Sequence, residues 1–137
     1  MQKTFLFLAA LLGALAVGLG AFGAHGLTDL IDDHSLRIYE KGINYQFYHV
    51  FALIACSLLY GNKPSKMIRR AYWMFFIGIF CFSGSLYLLA TSSITNISTA
   101  ITGPITPLGG LLFIAGWVLL AIYALRIFFG KRNMIGI

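Results

Sequence analysis

The sequence predicts an all-α fold: an integral membrane four-helix bundle with both termini cytoplasmic. Three observations predict it. The chain is 59% hydrophobic and only 10% charged, with a mean hydropathy of +0.85. That is the composition of a membrane protein rather than of a soluble domain. Four apolar runs, at about 4–24, 44–60, 71–91 and 107–128, approach the roughly 20 residues that a bilayer crossing needs. The runs are continuous rather than alternating, so they read as helices and not as barrel strands. They use most of the 137 residues and leave a single four-span domain.

The basic residues set the orientation. Lys3 precedes the first run. Lys63, Lys66, Arg69 and Arg70 separate the second from the third, and Arg126, Lys131 and Arg132 close the fourth. With four crossings these fall on one side, which the positive-inside rule makes cytoplasmic. The other side receives all four acids, Asp29, Asp32, Asp33 and Glu40, with Arg37 and Lys41. The net charge of +6 is then a topology signal, and no nucleic-acid partner is expected. The expected location is the cell (inner) membrane, crossed several times, or an organelle membrane in a eukaryote.

The first run resembles a signal peptide in having Lys3 before an apolar stretch. Secretory apolar regions span about 7–15 residues, whereas this one continues from Phe5 past Leu19, so a retained helix is expected. Ala9, Gly13, Ala16, Gly20 and Gly23 alternate at spacings of four and three. Such a seam lets a neighbouring backbone approach, while Phe7, Leu8, Leu11, Leu15 and Leu19 turn to lipid. The run closes on Gly20-Ala21-Phe22-Gly23-Ala24-His25-Gly26-Leu27, where backbones come close and a polar ring is held between them.

Residues 28–43 read as an outer amphipathic segment. Thr28 or Asp29 caps a short helix there, or Ser35 caps a longer one running into helix 2. Leu27, Leu30 and Ile31 rest on the interface, and His34 is solvated. Helix 2 then opens with the unusually polar Asn44-Tyr45-Gln46-Phe47-Tyr48-His49. Tyr45, His49, Ala52 and Cys56 share a face whose small residues mark it as packed, so His49 points inward, with Gln46 on about the same side.

Residues 61–70 form a turn broken by Pro64, followed by Tyr72 and Trp73 as interfacial anchors. Helix 3 carries a second seam of Ala71, Met74, Gly78, Cys81 and Ser85, with Tyr87 in its outer half. An uncharged loop over 92–105 follows, and its Asn96-Ile97-Ser98 matches a glycosylation acceptor. Thr106 caps helix 4 and Pro107 opens it. Gly109, Gly110 and Gly116 permit close packing, and Trp117 is a filler or a lipid contact. Cys56 and Cys81 fall inside spans and read as buried free thiols.

These motifs together resemble the small four-helix membrane proteins of the YgdD/YwdK type, which also have eukaryotic relatives. The match rests on Gly20 through Leu27, on Tyr45-Gln46 with His49, on Phe82-Ser83-Gly84-Ser85 with Leu86-Tyr87, and on Gly103 through Gly110 followed by Gly116-Trp117. The resemblance implies a four-helix membrane fold. It implies no activity and no catalytic residue, because that family is known as a domain of unknown function.

Alternating helix directions bring His25, Gln46, His49, Ser85, Tyr87 and Thr106 to the outer end of the bundle. They form either a capping layer of mutually satisfied polar atoms or a site for a lipid head group or small molecule. Each histidine is expected to hydrogen-bond across helices. No metal or cofactor is expected, since zinc needs three or four ligands and His25 with His49 supplies two. No acid lies within a span to couple protons, and no Ser-His-acid set converges there. The expected role is non-enzymatic: a small membrane protein acting as a binding or assembly component. The alternative is a subunit of an oligomeric transporter or channel, with the seams left for a homo-oligomer rather than consumed inside one bundle.

Overall fold

A computed structural model describes residues 1–132, with side chains at all of them but 99, 101, 128 and 130–132. Helix α1 (Gln2–Phe22) continues through a π-turn, π1 (Gly23–Leu27). Helix α2 (Asp33–Asn62) returns. Helix α3 (Lys66–Ile79), a second π-turn π2 (Phe80–Gly84) and helix α4 (Ser85–Ala90) make one continuous third crossing. A short α5 (Ser92–Thr95) ends at Asn96, which takes a left-handed φ of 56°, as asparagine does more readily than most residues. Helix α6 (Thr99–Arg132) completes the bundle. Among the described residues, four helices are long and apolar enough to cross a membrane: Gln2–Leu27, Asp33–Asn62, Lys66–Ala90 and Thr102–Ile127.

Two boundaries differ from expectation. The amphipathic stretch 28–43 is not a separate segment, because most of it forms the first turns of α2. Asp32 sets that start: its carboxylate accepts from the His34 and Ser35 N–H groups at 2.8 and 3.0 Å and from the Ser35 hydroxyl at 2.9 Å. Two or three charge-assisted bonds to first-turn donors make a strong N-cap. Likewise α6 begins at Thr99, so Thr106 is not a cap and Pro104 and Pro107 lie inside a helix. Prolines are tolerated in membrane helices; here each leaves the carbonyl four residues back, that of Ala100 or Gly103, without its helical N–H. Thr106 Oγ1 lies 3.3 Å from the Thr102 carbonyl, one turn back.

Helix α2 lies between α1 and the third crossing, and α6 packs along α3 and π2. The two central crossings are correspondingly more buried than the flanking α1 and α6. At the basic end, Phe5 stacks on Tyr72 with ring centroids 4.0 Å apart, and the Tyr72 hydroxyl donates to the Phe5 carbonyl at 2.8 Å. Tyr72 is thus buried rather than an interfacial anchor, a role left to the exposed Trp73. Leu53, Cys56, Ile68, Ala71, Phe75 and Phe113 extend this core. A smaller cluster of Leu27, Ile31, Tyr39 and Ala90 closes the acidic end, and Leu19, expected at lipid, packs partly against it.

Close crossings occur at some seam positions only. A methyl at Gly23, Gly78 or Gly116 would come 2.7, 2.7 and 2.6 Å from the rings of Tyr39, Phe113 and Phe75. At Gly109 it would meet the Phe82 backbone, with Cα at 2.8 Å. Gly13, Gly20 and Gly110 differ from expectation: a methyl there would find only side-chain atoms at 3.4, 3.7 and 3.8 Å, which is ordinary contact. The helices diverge slightly at those levels because Val50, Ile43 and the edge of the Phe82 ring already fill the gap.

Candidate functional site

Gln46 is the junction of three crossings. Only 2% of its surface is exposed. Its Nε2 donates to the Leu12 carbonyl of α1 at 2.8 Å, and its Oε1 accepts the Tyr87 hydroxyl of α4 at 2.8 Å. Tyr87 packs over Gly42, where an added methyl would meet its ring at 2.7 Å, and against the Tyr39 ring at 4.9 Å. Tyr39 in turn donates to the Leu19 carbonyl of α1 at 3.1 Å. In hydrocarbon these carbonyl lone pairs have no water to meet, so α2 side chains supply donors to the two α1 carbonyls and Tyr87 of α4 supplies one to the Gln46 amide oxygen.

His49 lies one turn further along α2. Its Nδ1 is 2.7 Å from the Tyr45 carbonyl. A carbonyl only accepts, so Nδ1 carries a proton. The other nitrogen, Nε2, accepts from the Trp117 indole N–H at 3.3 Å. The ring lies flat on Phe113, with centroids 3.4 Å apart and planes 6° from parallel. Nothing in the sequence singled out Trp117 as the partner. Half of its surface faces outward, which is why it reads as a lipid contact.

Ser85 and Thr106 join the third and fourth crossings through hydroxyls 2.6 Å apart. Each also has a carbonyl in reach, Phe82 at 2.8 Å for Ser85 and Thr102 at 3.3 Å for Thr106. Each hydroxyl has one proton, so the pair points one way at a time, toward Phe82 or toward Thr102, and the shorter contact favours Phe82. Nearby in π2, the fully buried Ser83 hydroxyl has no hydrogen-bond partner among the described residues.

The polar groups are stepped in depth. Gly13, close to the middle of the Gln2–Leu27 crossing, lies opposite Val50, and Phe113 covers Gly78 near the middle of Lys66–Ala90. His49, stacked on Phe113, is therefore near the middle of the crossings rather than at the acidic end of the bundle. It sits about 24 Å along α2 at 1.5 Å per residue, because that helix starts at Asp33. Ser85 and Thr106 are each seven residues from Gly78 and Phe113, or about 10 Å toward the acidic end. Gln46 falls between the two levels. The set forms a strip that runs from the middle of the bundle toward its acidic end, not a single layer at that end.

His25 does not join it. The side chain is exposed and forms no hydrogen bond among the described residues. The buried side of π1 carries Gly23 and Leu27, four residues apart, and His25 lies halfway between them on the opposite side of the turn. Two groups that escaped the sequence reading, Tyr39 and Gly42, sit in the stretch taken for an interfacial segment. Among the described residues no three His, Cys, Asp or Glu side chains form a group able to hold a metal ion.

Comparison with known proteins places this architecture. Residues 19–110 match the family model described as protein of unknown function (DUF423). The UPF0382 membrane protein SH2409 of Staphylococcus haemolyticus is 47% identical over 121 residues, covering 88% of this chain and 94% of the relative. The UPF0382 membrane protein YwdK of Bacillus subtilis is 44% identical over 127 residues, covering 91% and 98%. No solved structure matches. The chain belongs to the DUF423 family, a family of unknown function with membrane-protein relatives in these bacteria.

Proposed function

We propose that the polar strip is the internal fastening of a non-catalytic four-span membrane component, a binding or assembly part rather than an enzyme. Its place is the cell membrane, with the acidic end outside and both chain ends in the cytoplasm. One observation carries the reading: Gln46 and His49 both spend both of their polar ends on neighbours in the same chain. The His49 imidazole used in this way has no donor or acceptor left for a substrate, and the Gln46 amide, only 2% exposed, is tied at both its nitrogen and its oxygen. Proton carriage through His49 would also require its Nε2 to become a donor facing the Trp117 N–H. The charge split between Lys63–Arg70 at one end and Asp29–Glu40 at the other supports the orientation.

The test is reconstitution into vesicles loaded with a pH-sensitive dye. Under a potassium diffusion potential, proton entry should match that of empty vesicles, for both the wild type and His49→Ala. A leak that appears with the wild type and vanishes in His49→Ala would put the transporter or channel reading first.

A further inference from the structure

The turn between the second and third crossings holds a cavity of about 250 Å³ lined by Tyr60, Pro64, Ser65, Lys66 and Arg69. We propose that it seats the phosphodiester of an anionic phospholipid. Helix α2 ends at Asn62 and α3 begins at Lys66, so the cavity lies where the crossings leave the hydrocarbon, at the depth of lipid head groups.

Charge is the first reason. Lys66 and Arg69 are three residues apart and share one side of α3. All four acids of the chain lie between residues 29 and 40. From Glu40 to Tyr60, α2 rises about 30 Å, well beyond a Debye length of about 10 Å. Among the described residues the two cations are therefore left with no Asp or Glu side chain near enough to neutralise them. Ser65 adds a hydroxyl, which caps α3 by accepting from the Met67 N–H at 3.2 Å and keeps its own proton to donate. The positive end of α3 adds charge of the same sign.

The surface that follows is the second reason. Lys66, Arg69, Trp73, Ile77 and Phe80 recur at spacings of three and four along the third crossing and all are exposed. The last three are 42%, 48% and 55% exposed. Read from the turn inward, this face is basic, then an indole at the interface, then purely apolar. A phospholipid has the same order: phosphate, ester region, acyl chain. A soluble phosphate would use only the first of these.

Phosphatidylglycerol, with phosphatidylcholine as the neutral comparator, is titrated into purified protein in zwitterionic detergent and followed by native mass spectrometry. One phosphatidylglycerol per chain should be retained in preference to phosphatidylcholine. Lys66→Gln/Arg69→Gln should weaken it roughly thirtyfold, at about fivefold per basic residue. The charge-keeping Lys66→Arg/Arg69→Lys should still bind, which separates lost charge from lost fold. Arg126→Gln, at the same end of the bundle, should change binding by less than about twofold. The proposal fails if the double Gln variant binds as the wild type does, or if Arg126→Gln weakens binding equally. It fails also if inorganic phosphate displaces the lipid at equal concentration, which would assign the cavity to a soluble ligand.

Discussion

Gln46 and His49 read as inward residues because a polar side chain within an apolar run must face protein. Their pairings were not legible, since a pairing depends on helix register. Thr106 also came with a wrong role, as a cap, because Pro107 reads as a helix start. His25 misled for a simpler reason: a small-residue seam says nothing of the residue two places on, and the buried face continues to Leu27. Asp32 is the residue whose effect on stability is pH-dependent. The Ser35 N–H bond first, then the Ser35 hydroxyl, hold its carboxyl below the ordinary 3.8. A depressed carboxyl contributes its full stabilisation above the unfolded value and loses it as pH falls through the folded one. The Asp32 carboxyl should thus titrate below 3.8 by NMR, and protection of the Ser35 amide should fall over the same range. Asp32→Asn still caps but should abolish that pH dependence; a wild-type midpoint at or above the ordinary value would refute the capping geometry.

At the scale of elements, the four crossings were readable from length and hydropathy, and their ends were not. A carboxylate cap drew α2 back to Asp33, and α6 runs through two prolines. The π-turns are the least foreseeable elements; π1 (Gly23–Leu27) falls within the marked stretch Gly20–Leu27, and π2 (Phe80–Gly84) overlaps the start of the marked stretch Phe82–Tyr87. A π-turn inserts a residue and re-phases the face beyond it. In the third crossing this turn sits where Gly109 of α6 meets the Phe82 backbone. Gly109→Ala should therefore lower stability in detergent by about 1–3 kcal/mol through overpacking. Gly110→Ala, whose methyl meets only ring atoms at 3.8 Å, should be within about 0.5 kcal/mol of wild type. Equal thermal stability of the two variants would mean that π2 and α6 do not cross this closely. The same comparison tempers the expectation for Gly20, where a methyl meets only Ile43 at 3.7 Å.

For the whole molecule, the charge pattern and the bundle are separate claims. Reporter fusions at residue 137 and within 62–70 should both report the cytoplasm, since the bases cluster at that end. A signal from the opposite side at either position would overturn the proposed orientation while leaving the helix packing intact. Assembly itself depends on buried polar bonds, because helices surrounded by lipid gain no hydrophobic drive from meeting one another. Gln46 ties α1, α2 and the third crossing through two 2.8 Å bonds, and the most direct test is a double-mutant cycle across it. Unfolding of Gln46→Leu, Tyr87→Phe and the double variant is measured in detergent. The coupling between the two positions should be about 0.6–1.7 kcal/mol, the range of interhelical hydrogen bonds in membranes, with both single variants less stable than wild type. Zero coupling, or a Gln46→Leu protein more stable than wild type, would contradict a bundle fastened from within.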